Sequence, residues 1–151
     1  MALIQTKKGE LIVVDNALLK QIKSFSWYVN KVGYAVNDSK PRKYMHRLIM
    51  GFPKGGVDHI NGNKLDNRRK NLRLCNQSQN TANASKRSTN KSGYKGVSWN
   101  KRYSKWEAYL TKDYKHVFLG YFDDKDKAAL AYNRKAKELF GEFCKLNVVK
   151  A

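Results

Sequence analysis

An acidic residue, a histidine and two asparagines follow one another at short intervals in the middle of this 151-residue chain, as Asp58, His59, Asn71 and Asn80. Carboxylate and amide oxygens are the ligands that a hard cation such as Mg²⁺ prefers, and such a cation keeps positions open for water and phosphate. These residue types therefore suggest two oxygen ligands and an imidazole around one divalent cation. Each residue taken singly is more often an ordinary turn or surface residue, so the joint spacing carries the argument.

The local sequence predicts a hairpin followed by a helix at these positions. Asn61-Gly62 is a strong two-residue hairpin signal, since both central residues of a type I′ turn need positive φ, and it places Asp58 and His59 at a strand end. Asn76 followed by Gln79 is a capping-box pattern, which predicts a helix start with Asn80 in the first full turn. Neighbours on a regular strand point to opposite faces, so Asp58 and His59 can share a site only if the backbone leaves strand geometry there.

At these residues the chain resembles the HNH endonucleases, in particular the type found as phage or intron homing nucleases. The resemblance rests on Asp58-His59, Asn71-Leu72 and Asn80. It implies a ββα-metal core in which His59 is the general base, Asp58 and Asn80 bind the metal, and Asn71 holds the loop in shape. Asn80 stands where many members have another histidine, which favours one Mg²⁺ or Mn²⁺ per active site over a softer metal.

The implied reaction is phosphodiester hydrolysis, in which His59 takes a proton from water while the metal stabilises charge on the phosphate and the leaving oxygen. His46 precedes the motif, and a packing or phosphate-contacting role explains it about as well as a catalytic one. Planar guanidinium groups match phosphate oxygens, so four nearby arginines are predicted to contact DNA backbone phosphates, with a solvated face as the plainer alternative. These arginines are Arg47, Arg68, Arg69 and Arg73.

Charge is the dominant global property of the sequence. Thirty-one Lys and Arg against twelve Asp and Glu give a formal net charge of +19, which favours a polyanionic partner. We expect double-stranded DNA rather than a small-molecule substrate or a membrane, because no apolar run approaches the roughly 20 residues of a spanning helix. The N-terminus lacks the core of a signal peptide, which predicts a cytoplasmic protein, in the host cytoplasm if the chain is phage-encoded. Cys75 and Cys144 form no Cys-x-x-Cys pair and are expected to be small core residues.

The chain is predicted to be of the α+β class, with four segments. Residues 1–42 form a small α+β platform containing a strand at Leu11–Val14, a brief helix over 16–25, and a hairpin of 27–29 with 34–36. Residues 43–83 form the nuclease segment, with a short helix at 44–50. Residues 84–93 are rich in Ser, Lys and Asn without apolar period, which predicts a basic linker. It either orders along DNA, with Lys86 and Arg87 as contacts, or stays mobile and only adds charge. Residues 94–149 form a second domain.

The second domain is predicted to be a three-stranded antiparallel sheet packed on one helix. Alternation in the middle strand sends Trp106, Ala108 and Leu110 to one face and Lys105, Glu107, Tyr109 and Thr111 to the other. The helix, near 125–140, offers an apolar stripe that covers one sheet face and leaves the other free. The stripe consists of Ala128, Ala131, Tyr132, Ala136 and Leu139.

This region resembles the ethylene-response-factor (Apetala-type) DNA-binding domain. The matching elements are Lys95-Gly96-Val97, Trp106, Phe118-Leu119-Gly120, the run from Ala128 to Tyr132, and Lys145-Leu146-Asn147. The resemblance implies a sheet in the DNA major groove, with DNA faced by Lys95, Ser98, Asn100, Arg102, Tyr109, Thr111, His116 and Phe118. Several plant arginines are replaced here by Ser98, Asn100, Thr111 and His116, so the plant base preference does not carry over.

The sequence thus predicts a DNA endonuclease of the homing or nicking type, with one segment that cuts and one that binds. Two alternatives stay open. One is a DNA-binding regulator that keeps the nuclease fold only as a scaffold, and the other is an RNA-binding protein, which the charge permits. Since one HNH centre cuts one strand at a time, a monomer would nick and a homodimer could break both strands.

Overall fold

The computed structural model describes residues 1–86 and 88–149. The chain divides into two compact units, Met1–Asn76 and Gln77–Ala151. The first unit combines three small β-sheets with short helices and the second combines one sheet with two helices, in agreement with the mixed α and β class that the sequence predicts. Within the described ranges, every helix is too short or too polar to cross a bilayer.

The first unit contains three small antiparallel sheets, which pair β1 with β2, β3 with β4 and β5, and β6 with β7. The strands are β1 (Ala2–Gln5), β2 (Leu11–Val14), β3 (Tyr28–Val29), β4 (Ala35–Asn37), β5 (Lys43–Tyr44), β6 (Gly56–His59) and β7 (Leu72–Cys75). The helices are α1 (Leu19–Lys23) and α2 (Met45–Ile49), with 3₁₀ turns at Asn16–Leu18 and Arg69–Asn71.

The platform matches its sequence prediction with one change. β2 and the β3–β4 hairpin lie where they were expected, but the helix predicted over 16–25 is a 3₁₀ turn followed by the shorter α1. Trp27 packs inside, with 7% of its surface exposed and its indole N–H donating to the Ile22 carbonyl at 2.8 Å. The core of this unit contains Ile12, Val14, Ile22, Trp27, Ala35, Met45, Ile49 and Leu72.

The apolar strand β2 also fixes the long loop between β6 and β7. Val13 forms an isolated parallel bridge with Asp66, in which Val13 N–H donates to Leu65 O and Asn67 N–H donates to Val13 O, both at 2.8 Å. Asp15 extends the contact, because its Oδ2 accepts the Arg69 N–H at 2.7 Å. The loop is therefore held to the core of the unit at several points.

The second unit consists of one short helix, one sheet and one long helix. Its elements are α3 (Gln77–Asn83), β8 (Val97–Asn100), β9 (Lys105–Lys112), β10 (Lys115–Phe122), α4 (Lys125–Phe140) and a 3₁₀ turn at Gly141–Phe143. The sheet is antiparallel with β9 in the centre, and α4 covers one of its faces. This arrangement is the three-stranded sheet on one helix that the sequence predicts.

The buried stripe of α4 differs from the predicted one at its edges. Ala128, Tyr132 and Ala136 are buried as predicted, and Leu139 packs against the core while partly exposed, but Ala129 and Phe140 are buried in addition and Ala131 is only half-buried. The helix starts at an Asp124 cap, whose carboxylate accepts the Asp126 N–H at 2.8 Å. The face that contacts the sheet is therefore turned slightly from the one that simple spacing indicates.

The segment predicted as a linker ends in an ordered turn. Ser92 is buried, with its hydroxyl donating to Val97 O at 2.7 Å, and Gly93 N–H donates to the Asn90 side chain at 2.8 Å. Lys86 donates from Nζ to Gly93 O at 2.9 Å, whereas Arg87 lies outside the described residues. The polar composition of this segment thus reflects side-chain hydrogen bonds to its own backbone as well as exposure.

Candidate active site and DNA-binding face

Asp58 and His59 end strand β6 and are both buried, with 7% and 3% of their surfaces exposed. Asp58 is opposite Arg73 and His59 is opposite Leu72 on β7, so regular strand register continues through both residues and the departure from strand geometry expected at Asp58 or His59 is not found. The Arg73 guanidinium pairs with the Asp58 carboxylate, with Nη2 3.1 Å from Oδ2. A buried charge needs such a partner.

The turn between these strands is not the tight hairpin that the sequence predicts. Gly62 N–H donates to His59 O at 2.9 Å, and of Asn61 and Gly62 only Gly62 has positive φ, at 73°. A type I′ turn is therefore absent at this position, because it needs positive φ at both central residues. Asn61-Gly62 instead starts a loop that runs from Ile60 to the 3₁₀ turn Arg69–Asn71.

Asn71 joins the two ends of this loop. Its Oδ1 accepts the Asn61 N–H at 3.0 Å, and its Nδ2 donates to Asn61 Oδ1 at 3.0 Å and to Asp66 O at 2.7 Å. Asp66 is in turn held by Arg68, whose Nε lies 2.7 Å from Oδ1, and this guanidinium keeps the pKa of the Asp66 carboxyl below its usual range. Since Ile60 N–H also donates to Asn71 O, the loop is braced directly behind His59.

Asn67 contacts the imidazole of His59, and sequence reasoning missed it. Asn67 is fully buried, and its Oδ1 lies 3.3 Å from His59 Nε2. The Asn67 Nδ2 donates to Lys64 O at 3.3 Å, so the amide oxygen faces the ring and Nε2 carries the proton. The basic nitrogen of neutral His59 is then Nδ1. Asn67 is buried because its loop pairs with β2, where Asn67 N–H donates to Val13 O. Sequence reasoning could have found it only by recognising that a polar residue of this loop is buried beside β2.

Burial lowers the pKa of His59, although the Asn67 hydrogen bond and the nearby carboxylates of Asp58 and Asp66 oppose the shift. His59 is therefore neutral at physiological pH, which is the form that accepts a proton.

A cluster of rings packs around His59. The ring centroids of His46 and His59 are 5.1 Å apart, and Tyr34 lies 5.1 Å from His46 and 6.0 Å from His59. His46 is buried, its Nδ1 has no hydrogen-bond partner, and burial together with His59 and Arg47 lowers its pKa to about 3. His46 thus contacts the candidate base as a neutral packing residue.

Each of the four arginines predicted to contact phosphate has a partner inside the first unit. Arg47 donates to Gly55 O at 3.0 Å and to Pro53 O at 2.5 Å, and Arg69 donates to Ile49 O at 2.9 Å. Arg68 and Arg73 pair with the carboxylates described above. Arg69 is the most exposed of the four.

Asn80 lies on α3 in the second unit and is exposed. It is thus grouped with the C-terminal sheet and helix rather than with Asp58, His59 and Asn71. In residues 1–86 and 88–149, no three His, Cys, Asp or Glu side chains are close enough to hold a metal ion. A metal would therefore depend on amide oxygens or water in addition to carboxylate.

The free face of the C-terminal sheet carries most of the residues predicted to face DNA. Register pairs Ser98 with Glu107, Tyr109 with Phe118, and Thr111 with His116. Buried Ala108 and Leu110 point to the other face, as the alternation predicts. Arg102 is exposed in the loop before β9, and the Asn100 side chain accepts its N–H at 3.1 Å.

Two further exposed aromatic residues belong to this face. A bulge between Phe118 and Gly120 brings Tyr121 opposite Glu107, on the same side as Phe118, and their ring centroids are 4.9 Å apart. Tyr103 lies 4.8 Å from Tyr121. Strict alternation along β10 would place Tyr121 on the covered face of the sheet. In the sequence, Gly120 was the residue that could have indicated the bulge, and its φ is 127° in the structure.

Glu107 is the acidic residue in the centre of the face. Its Oε1 accepts the Ser98 hydroxyl and its Oε2 accepts the Asn100 amide, both at 2.9 Å. These bonds fix a carboxylate in the middle of an otherwise neutral or basic surface.

Lys95 was predicted to face DNA, but its charged group turns inward. Its ammonium donates to Thr81 O, Ala82 O and Ala84 O at 2.9, 2.6 and 2.7 Å, and burial lowers its pKa to about 8. All three donors are therefore used within the second unit.

Comparison with known proteins identifies the family. The family model described as HNH endonuclease matches residues 43–82. An uncharacterized HNH endonuclease of Acanthamoeba polyphaga mimivirus is 35% identical over 150 residues, which cover 94% of this chain and 77% of that protein. Protein 3.8 of Escherichia phage T7 is 36% identical over 95 residues, or 62% of this chain and 78% of that protein. No solved structure matches.

A buried His-Asp pair on a strand end with an asparagine-braced loop thus coincides with the matched region. The chain belongs to the HNH endonuclease family.

Proposed function

We propose that this chain is a metal-dependent DNA endonuclease that hydrolyses phosphodiester bonds. The observation that carries the proposal is the burial of His59 as a neutral imidazole whose Nε2 is held by Asn67. That arrangement keeps the imidazole neutral and oriented, which is the form that can remove a proton from the attacking water.

Asp58 and Asn80 would hold the metal. Both offer oxygen atoms, which suit Mg²⁺ or Mn²⁺, and a small set of protein ligands leaves coordination positions for water and phosphate. When bound, the ion would stabilise negative charge on the phosphate and on the leaving oxygen. Asn71 keeps the loop behind His59 in shape through its bonds to Asn61 and Asp66.

We assign positioning of the DNA to both units. In the first unit, exposed Arg69 is the best candidate for a phosphate contact, and Arg47, Arg68 and Arg73 would contribute mainly by fixing the loop and Asp58. In the linker, Lys86 and Arg87 add positive charge.

The free face of the C-terminal sheet is proposed to enter the major groove, as in an Apetala-type domain. Ser98, Asn100, Arg102, Tyr109, Thr111, His116 and Phe118 would line the contact. The order β8-β9-β10-α4 and the exposed side chains on one sheet face support this assignment. A sheet of this size fits the groove.

The role that we propose is that of a homing or nicking enzyme acting on DNA in the cytoplasm of an infected host cell. The viral origin of both similar proteins supports this role. A monomer would cut one strand, and a homodimer could cut both.

One observation favours a second candidate, a DNA-binding regulator without nuclease activity. The Asp58 carboxylate is paired with Arg73, and a carboxylate committed to a guanidinium is less available to a metal. In that case the first unit would serve only as a scaffold.

Metal-dependent nicking separates the two candidates. The chain is incubated with supercoiled plasmid in Mg²⁺, Mn²⁺ or EDTA, and the cut ends are mapped. We expect nicking by the parent with either metal, and loss of nicking in Asp58→Ala. The matched control is Asp38→Ala, which removes a carboxylate from an exposed ion pair with Arg42 and should nick like the parent. Nicking by Asp58→Ala at the parent rate, or binding without nicking by the parent, would contradict the proposal.

A further inference from the structure

Helix α3 is too short and too polar to hold its own conformation. It has seven residues, QSQNTAN, and only Ala82 and Asn83 are buried. Isolated helices of this length are unstable in water, because the cost of the first turn is not recovered. Whatever fixes α3 therefore also fixes Asn80, the metal ligand proposed above.

The first turn of α3 is attached to the β9–β10 turn. The Ser78 hydroxyl donates to Asp113 Oδ1 and accepts the Asp113 N–H, each at 2.8 Å. Asp113 and Tyr114 both have positive φ, at 49° and 64°, which defines a tight hairpin of fixed geometry. The start of the helix is thus tied to the sheet at one point.

The last turn of α3 is attached to the start of the sheet domain through Lys95. The last carbonyls of a helix have no partner within the helix. The Lys95 ammonium donates hydrogen bonds to Thr81 O, Ala82 O and Ala84 O. Ala82 O also accepts the Lys145 N–H at 3.0 Å. A cation at a helix C-terminus is also favoured by the helix dipole.

The backbone of Lys95 is itself fixed. Its N–H donates to Asn147 Oδ1 at 2.7 Å, and its carbonyl accepts the Asn147 Nδ2 at 3.0 Å. The next residue, Gly96, has φ of 70° and lies where any added Cβ would be 2.3 Å from the Tyr132 ring. The backbone of Lys95 therefore has little conformational freedom, and its side chain extends inward to the C-terminal end of α3.

We propose that Lys95 is a positioning residue of the nuclease, which fixes α3 and its Asn80 to the sheet that binds DNA. Lys95 would then act on the metal only through Asn80, because the hydrogen bonds that Lys95 makes to the end of α3 lie within the second unit. This inference rests on the proposed function. It replaces the DNA contact expected for Lys95 from the Apetala-type resemblance with an internal role.

Hydrogen exchange tests the attachment without cleavage. The full chain is compared with Lys95→Met, which keeps the apolar stem, and with Lys91→Met, which removes the same charge from an exposed position four residues earlier. We expect amide protection in residues 77–84 to fall at least about tenfold in Lys95→Met and to stay unchanged in Lys91→Met. Equal protection in the two variants would overturn the inference, whether or not the parent cuts DNA.

Cleavage then tests the consequence for the metal. Lys95→Met should need a higher Mg²⁺ concentration for half-maximal nicking and should cut roughly 10- to 100-fold more slowly, as for the loss of a group that orients a metal ligand. Its affinity for duplex DNA in EDTA should match that of Lys91→Met. Weaker DNA binding with the parent's Mg²⁺ dependence would overturn the inference and favour the DNA contact that the sequence predicts for Lys95. Absence of nicking by the parent itself would instead contradict the proposed function.

Ser78→Ala gives a second test if Lys95→Met is unstable. It removes the other attachment of α3 and leaves the charge of the chain unchanged. We expect a smaller loss of amide protection in residues 77–84 and a smaller rise in the Mg²⁺ requirement. Unchanged values for both would overturn the inference.

Discussion

At the scale of single residues, the contacts of the His59 ring determine its tautomer and its orientation. Asn67 accepts a hydrogen bond from Nε2, His46 packs 5.1 Å away between ring centroids, and the backbone loop behind it is braced by Asn71. These contacts fix the tautomer and the orientation of the imidazole before any substrate arrives. A base that is already oriented avoids that ordering cost in the reaction.

The first residue-scale prediction concerns Asn67. Asn67→Ala removes the acceptor for Nε2–H, so the ring loses its fixed tautomer and the pKa of His59 falls further. We expect the nicking rate at saturating DNA to fall roughly 10- to 100-fold, as for other groups that orient a reactive side chain. The acid limb of the pH–rate profile should move to lower pH. An unchanged limb together with an unchanged rate would contradict the tautomer assigned here.

The second residue-scale prediction concerns acid stability. His46 binds a proton near pH 6.5 in the unfolded chain but only near pH 3 in the folded chain, so the unfolded state binds more protons between these values. Stability is thus fully present above about pH 6.5 and is lost as the pH falls toward 3. Urea unfolding at pH 7 and pH 5 should show this loss, and His46→Phe should reduce it. Equal pH dependence in the two proteins would show that His46 is not buried as a neutral ring.

At the scale of elements, strand and helix patterns were readable from the sequence because they depend on local periodicity. β2, the β3–β4 hairpin, α4 and the alternation along β9 all follow from apolar spacing. The β6–β7 loop did not follow, since its shape depends on bonds to Val13 and Asp15, far away in the sequence. The bulge near Gly120 did not follow either, since it breaks the period of two along β10. The same limit applies to Asn67 and Lys95, whose partners lie outside their own segments.

The element-scale prediction compares two glycines with positive φ. Gly96→Ala would put a Cβ 2.3 Å from the Tyr132 ring and 2.4 Å from Tyr109 O, whereas Gly93→Ala would meet nothing within 4 Å. We expect Gly96→Ala to destabilise the second unit by about 3 kcal/mol or more, from overlap and strain together. Gly93→Ala should cost only about 1 kcal/mol of strain. Thermal unfolding measures both, and similar shifts in Tm would contradict the close packing of Gly96.

At the scale of the whole molecule, the main features are the positive charge and the proposed assignment of cleavage and DNA binding to different segments. The net charge of +19 is spread over both units, so many phosphate contacts are available and no single one decides affinity. The sequence composition alone gives the net charge, because counting charged residues needs no knowledge of the fold. Which unit contains Asn80 could not be predicted, since the hydrogen bonds of Ser78 and Lys95 decide it.

The whole-molecule prediction is a steep salt dependence of DNA binding. Each neutralised phosphate contributes a slope of about −0.9 in log affinity against log salt, so affinity should fall by orders of magnitude between roughly 50 and 200 mM. Arg102→Ala, beside the free sheet face, should lower the slope by about 1. Lys127→Ala, exposed on α4, should not change it. A flat titration of the parent would contradict the nucleic-acid partner.

The central claim is that His59 is the base of a DNA-cutting site, and single-turnover cleavage tests it most directly. Parent and His59→Ala are first bound to duplex DNA in EDTA, where their affinities should agree, because phosphate contacts elsewhere are unchanged. Excess Mg²⁺ then starts the reaction. We predict that His59→Ala cuts at least about 100-fold more slowly than the parent. Cleavage by fully bound His59→Ala within about threefold of the parent rate would contradict the claim.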